Sequence, residues 1–161
     1  MSGSSNPSDQ VEFFVLCDGG LGNRLISAIC GKIAAKRLGL EPIFIWPENR
    51  WFDLCASEVF ESECFIVKQG GQEGNLPARV DLTIAFDHTS FETKEFASID
   101  HDICIDRIDP EAKTVIFSTS IVPSWIDYQK FSREASVIQF KELYEASSIK
   151  RLRTIPKDSR L

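Results

Sequence analysis

Residues that build metal and disulfide frameworks are scarce in this sequence. Its 161 residues include two histidines, His88 and His101, and five cysteines, with no Cys-x-x-Cys or His-x-x-x-His spacing. That argues against a Cys/His metal centre, and an odd cysteine count argues against a paired disulfide framework. Cys17, Cys30 and Cys104 sit inside apolar runs and read as free core thiols; Cys55 and Cys64 complete the set. No window reaches the roughly 18 to 20 unbroken apolar residues that a membrane-spanning helix needs. The first ten residues are polar, with neither a positive start nor an apolar stretch, so they do not read as a signal peptide. The expected location is the cytoplasm, or wherever a larger parent places this part. Positive charge is also short: Lys+Arg 18 against Asp+Glu 24 gives a net charge of −6. Broad duplex binding needs clustered Lys and Arg, so nucleic acid is not an expected partner, although one local anion site remains open.

What is present belongs to a globular domain: 43% hydrophobic, 26% charged and 11% aromatic residues. A chain of this length buries a proper core without a staple. Residues 1–10 read as a mobile lead-in and 11–161 as a single domain.

Val11–Cys17 (VEFFVLC) is a near-continuous apolar run, as a strand buried on both faces requires. Asp18 to Asn23 form a tight loop with three glycines. Helical periodicity follows from Arg24 to Leu38, with Leu25, Ile29 and Ile33 on one face and Gly39 just past the end. Pro42 to Trp46 is a second buried strand, which completes a βαβ unit. Further along, 53–60 reads as a short helix, Cys64–Val67 as a strand, 69–77 as a loop, Asp81–Phe86 as a strand and Ile103–Ile105 as a short one. Thr114–Thr119 is a stronger strand and Tyr128–Glu145 an amphipathic helix. Strands alternating with helices indicate an α/β fold, Rossmann-like, with a mostly parallel sheet.

The element with chemical content is Gly19-Gly20-Leu21-Gly22-Asn23-Arg24. Glycines let backbone approach a ligand closely. The following helix offers unpaired N–H groups and the positive end of its dipole, which together suit phosphate or pyrophosphate. Asn23 either caps the helix or donates an amide hydrogen bond to a ligand. Arg24 is a bidentate donor, or else it points into water. Asp18 counts against a bare phosphate site because its charge repels an anion. A dinucleotide fingerprint would need Gly or Ala where Leu25 stands, and a P-loop would need Gly-Lys-Ser/Thr, so neither signature is present.

The stretch Gly-Gly-Leu-Gly-Asn-Arg-Leu (19–25), the helix ending Ala-Lys-Arg-Leu-Gly (35–39) and Pro-Ile-Phe-Ile-Trp-Pro (42–47) resemble the N-terminal half of the fucosyltransferase-like glycosyltransferases. That group holds protein O-fucosyltransferases, α1,6-fucosyltransferases and nodulation fucosyltransferases. Trp51-Phe52-Asp53-Leu54 and Phe60 fit the segment that follows the second strand, and the match covers about a third of the chain. The resemblance implies a GT-B architecture of two Rossmann-like domains and metal-free, inverting transfer from GDP-fucose or another nucleotide sugar to a glycan or protein acceptor. It places the donor phosphates near Asn23, with Arg24 a weaker contact and Gly20 and Gly22 shaping the loop. The family's second motif, His-x-Arg on the donor-binding half, is absent: His88 precedes Thr89-Ser90 and His101 precedes Asp102-Ile103. The expectation is therefore a first domain without its donor-binding partner, incomplete on its own.

The other polar and aromatic groups have blander readings. Asp53, Glu58, Glu61 and Glu63 read as a solvated helix edge, and His88 and His101 as surface positions. Lys150, Arg151 and Arg153 read as a helix tip or interdomain contact. Trp46 belongs to the core, whereas Trp51 and Trp125, in loops, are the tryptophans placed to stack on a ligand. Two other functions fit the same residues: a non-catalytic Rossmann-like module that binds a phosphorylated ligand or partner protein, and an unrelated phosphate-binding enzyme domain.

Overall fold

The computed structural model describes residues 10–70, 76–86 and 111–142. The elements run β1 (Glu12–Leu16), α1 (Leu21–Leu38), β2 (Pro42–Ile45), α2 (Ala56–Val59), α3 (Phe65–Lys68), β3 (Leu82–Phe86), β4 (Thr114–Thr119) and α4 (Tyr128–Ser136). The strands form one parallel sheet in the order β2-β1-β4-β3. This is the expected α/β class, with β1 and β2 joined in parallel through α1.

β1 is not buried on both faces as its apolar run suggests: Glu12 is exposed and Phe14 and Leu16 are half-buried, and full burial is confined to the alternate residues Phe13, Val15 and Cys17. They face α1 together with Phe44, Trp46, Val115 and Phe117, the rings of Phe13 and Phe117 lying 6.0 Å apart. Ser27 fixes the helix to the sheet. Its hydroxyl donates to the Leu16 carbonyl at 2.7 Å and accepts from the Thr119 amide at 3.2 Å, so one α1 side chain joins the carboxyl ends of β1 and β4.

α1 begins at Leu21, three residues before the expected start. Gly19 makes the turn with φ 84°, in the left-handed region, and Gly20 stands as the extended N-cap. Gly22 and Asn23 therefore lie in the first helical turn, and Asn23 is not the cap. The helix ends at Gly39 as expected, where the Leu40 amide reaches the Ala35 carbonyl at 2.9 Å.

Three other expectations need correction. Cys64–Val67 is not a strand: α3 occupies Phe65–Lys68, with amides 67 and 68 both returning to the Cys64 carbonyl. A four-residue apolar run carries no periodicity that separates helix from strand, and here Phe65 packs on Phe44 from outside the sheet. The 53–60 helix shrinks to Ala56–Val59, capped by Glu58 accepting from the Cys55 amide. The helix expected over Tyr128–Glu145 is interrupted: α4 stops at Ser136 and Phe140 bridges to Phe60, ring to ring at 5.2 Å, while 143–145 lie outside the described residues. Phe131, Ala135 and Ile138 nonetheless pack on the core as the periodicity required. The strand expected at 103–105, both histidines, Cys104, residues 150–153 and positions 71–75 of the 69–77 loop lie outside the described residues.

Candidate functional site

The carboxyl ends of β1 and β2 carry two loops that hold each other. The first is Asp18-Gly19-Gly20, leading into α1. The second is Pro47 to Phe52, where Asn49 and Phe52 form an antiparallel bridge. Within it the Asn49 Oδ1 accepts from the amides of Trp51 at 2.9 Å and Phe52 at 3.1 Å. Such an Asx turn is what an Asn two residues ahead of the turn's tip makes possible. The Asn49 side-chain Nδ2 also donates to Asp18 Oδ1, which accepts from the Gly19 backbone amide at 2.7 Å as well.

Arg24 ties the loops from beneath. Its Nε donates to the Gly19 carbonyl at 2.7 Å and its Nη2 to the carbonyls of Pro47 at 2.6 Å and Phe52 at 3.4 Å. The guanidinium lies 5.0 Å from the centre of the Trp46 ring and 5.2 Å from that of Phe52. The side chain is fully buried, and its Nη1 has no hydrogen-bond partner. Burial lowers its pKa, while the charges of Asp18 and Cys17 act in the opposite sense. Arg24 therefore does not point into water: Nε and Nη2 are spent on backbone carbonyls, and Nη1 is buried without a partner.

The N-terminus of α1 is left bare. The first intrahelical bond is from the Arg24 amide to the Gly20 carbonyl at 3.1 Å, so the amides of Leu21, Gly22 and Asn23 precede it. No side chain caps them and no acidic residue sits in the first turn. The positions a Cβ would take at Gly20 and Gly22 are open space, and Gly22 and Asn23 are exposed.

Beside this corner lies a cleft of about 600 Å³, lined by Leu16, Asp18, Gly19, Pro47, Asn49, Arg50, Trp51 and Leu76. Trp51 is 66% exposed, with the Arg50 guanidinium 4.6 Å from its ring centre. The two expected stacking tryptophans part here. Trp51 is in the cleft, whereas Trp125 packs against the core beside Arg37, near the other end of α1. Asn49 and Arg50 were not among the expected site residues. Pro47 and Asn49, two turn-favouring residues just past the second strand, are the signal that would have found Asn49. Among the described residues no group of three or more His, Cys, Asp or Glu could hold a metal ion, and no helix is long and apolar enough to cross a membrane.

Neither a family model nor a curated protein matches the chain. Two crystal structures of the fucosyltransferase NodZ from Bradyrhizobium do. The selenomethionine form superposes with a TM-score of 0.54 at 13% identity and the other with 0.52 at 14%. This is a fucosyltransferase-like fold. The superposition takes in 89% of this chain and 55% of NodZ, so the chain spans about half the length of the structures it matches. In this fucosyltransferase-like fold the cleft opens at the carboxyl ends of parallel strands, where open α/β sheets bind ligands.

Proposed function

We propose that the chain is the N-terminal domain of a fucosyltransferase-like glycosyltransferase and contributes one wall of a site for a nucleotide sugar such as GDP-fucose. The observation that carries this reading is the uncapped N-terminus of α1 beside a cleft at the strand ends, in a fold that superposes on a fucosyltransferase. In glycosyl transfer an acceptor hydroxyl oxygen bonds to the anomeric carbon as the bond from that carbon to the diphosphate oxygen breaks, and the hydroxyl proton is released to a base or to solvent. The leaving diphosphate gathers negative charge, which aligned N–H groups stabilise. The amides of Leu21 to Asn23 and the Asn23 side chain are the groups for that task, with Gly20 and Gly22 keeping the approach open. Arg24 positions the loops and adds no direct contact, so a cation for the diphosphate has to come from another segment. For that reason the domain is incomplete as a catalyst. The test is calorimetry of GDP-fucose with the purified chain, beside the chain continued through any downstream reading frame. Binding that weakens in Asn23→Ala is expected; no binding by either form would sink the proposal.

The burial of Arg24 favours one other reading, a non-catalytic module that binds a phosphorylated ligand through the helix amides alone. That module would bind pyrophosphate as tightly as GDP-fucose and would transfer no sugar in its continued form.

A further inference from the structure

We propose that the cleft beside Trp51 is a saccharide subsite, in which the indole takes the C–H face of a neutral pyranose ring. The inference rests on the glycosyltransferase reading for its place in the reaction, and on the cleft itself for its chemistry.

Trp51 is held out rather than left out. Its amide bonds Asn49 Oδ1 at 2.9 Å, and its neighbour Phe52 is anchored beneath the loop edge-on to Trp46, ring centres 6.0 Å apart, with the Arg24 guanidinium alongside. The indole thus sits at the tip of a braced turn, 66% exposed, with Arg50 stacked on its ring. An exposed tryptophan forgoes the burial that a ring of its size would gain in the core. Leu16, Pro47 and Leu76 extend the apolar surface along the cleft. Its volume of about 600 Å³ falls within the roughly 300–1,000 Å³ of small-molecule pockets.

The polar groups suit hydroxyls better than phosphates. Asp18 Oδ1 is occupied by the Gly19 amide and Asn49, which leaves Oδ2 on an exposed carboxylate as an acceptor. Asn49 Nδ2 has a second N–H to give, and Arg50 supplies further donors. A sugar hydroxyl both donates and accepts, so adjacent hydroxyls use an acceptor and a donor side by side. The cleft's charge is one carboxylate against one guanidinium, and a diphosphate there would meet Asp18. Phosphates fall instead to the bare end of α1, which puts a sugar ring and an anion in adjoining places.

The test uses an array of neutral oligosaccharides, with the strongest binder then titrated while the Trp51 indole N–H resonance is followed. Trp51→Phe assigns that resonance among the three tryptophans. The expected result is a saturable shift of the Trp51 signal and an affinity loss on the order of tenfold in Trp51→Ala, with most binding kept in Trp51→Phe. Asp18→Asn should weaken binding by a smaller factor. Because the Trp51 side chain is exposed, Trp51→Ala should melt as the wild type does. Absence of any oligosaccharide binding, unchanged affinity in Trp51→Ala, or displacement of the saccharide by guanosine would each overturn the subsite. Saccharide binding without GDP-fucose binding would sink the donor reading and keep the subsite; the reverse result would keep the donor reading alone.

Discussion

Gly31 of α1 presses on the side chain of Val15 in β1 so closely that a Cβ on Gly31 would fall 2.4 Å from Val15 Cγ1 and 2.6 Å from Cγ2. The contact sets how near the helix lies to the central strand, and through Ser27 how the strand ends meet α1. Gly31→Ala would gain about 1 kcal/mol of helix propensity. It would also overpack a site where Val15 is fully buried, at a cost of about 1–3 kcal/mol and more if the helix must shift. A net loss of up to about 2 kcal/mol is expected in urea denaturation. Adding Val15→Ala should relieve part of it, so that the double variant is more stable than the two single losses predict. Strictly additive losses would show that the contact does not set the packing.

Arg24 should behave as a brace for the site rather than as a ligand. Arg24→Ala leaves the carbonyls of Gly19, Pro47 and Phe52 without their donor and opens a cavity between two rings. A loss of about 3 kcal/mol is expected. Arg24→Lys recovers little of it, because an ammonium cannot reproduce the planar fork that reaches two loops. Thermal melts check both variants, and a lysine variant that melts like the wild type would argue against the brace.

The contrast between Arg24 and β1 explains what the sequence discloses. The strands at Val11–Cys17, Pro42–Trp46 and Thr114–Thr119 are legible because the face they turn to α1 demands closely spaced apolar residues, such as Phe13, Val15, Phe44, Val115 and Phe117. The course of α1 is legible because a helix on a sheet repeats its apolar face. Arg24 is different: its burial depends on Trp46 and Phe52, more than twenty residues away, closing over it. No local pattern encodes that closure. The placement of β3 beyond β4, at the sheet's edge among the described residues, is likewise a long-range outcome. Of the cleft, Trp51 stood out as a loop aromatic, but the Asn49 turn that presents it and the Asp18 contact that braces that turn depend on two loops meeting.

The junction of β3 and β4 should be acid-sensitive. Asp81 Oδ2 accepts from the amides of Lys113 and Thr114, both at 3.0 Å, and Arg79 Nε reaches Oδ1 at 3.1 Å. The Lys113 amide, then that of Thr114, holds this carboxyl below its ordinary value, with burial opposing and Arg79 helping to a lesser degree. A pKa depressed in the folded state means that the unfolded chain binds the proton more readily, so stability rises with pH there. Asp81's contribution is therefore fully present above the ordinary value of about 3.9 and fades as pH falls through the folded value. Urea midpoints taken from roughly pH 2.5 to 6 should show Asp81→Asn weaker than wild type at the upper end and converging on it at the lower. Glu58, held down by its bonds with Cys55, leaves some acid sensitivity in both proteins. A difference that does not change with pH would remove Asp81 from the account.

Thiol reactivity should report the core directly, because the thiolate is the nucleophile and burial disfavours it. Burial pushes the Cys30 thiol up to about 12. It raises that of Cys17 further still, against the opposing charge of Arg24. Cys64 is also buried, whereas Cys55 is half-exposed at the cap of α2, its Sγ 3.2 Å from the Ser57 hydroxyl. Among these four free thiols, iodoacetamide near pH 8 should modify Cys55 first in the native protein and spare Cys17 and Cys30 until urea unfolds it, as peptide mass spectrometry would show. Arg24→Ala adds a second step to the same measurement. It removes the brace above Cys17 and should bring labelling of Cys17 forward to lower urea than in the wild type, with Cys30, deeper along α1, following the global transition. Labelling of native Cys17 or Cys30 as fast as Cys55 would mean that the sheet–helix interface opens far more often than its packing allows.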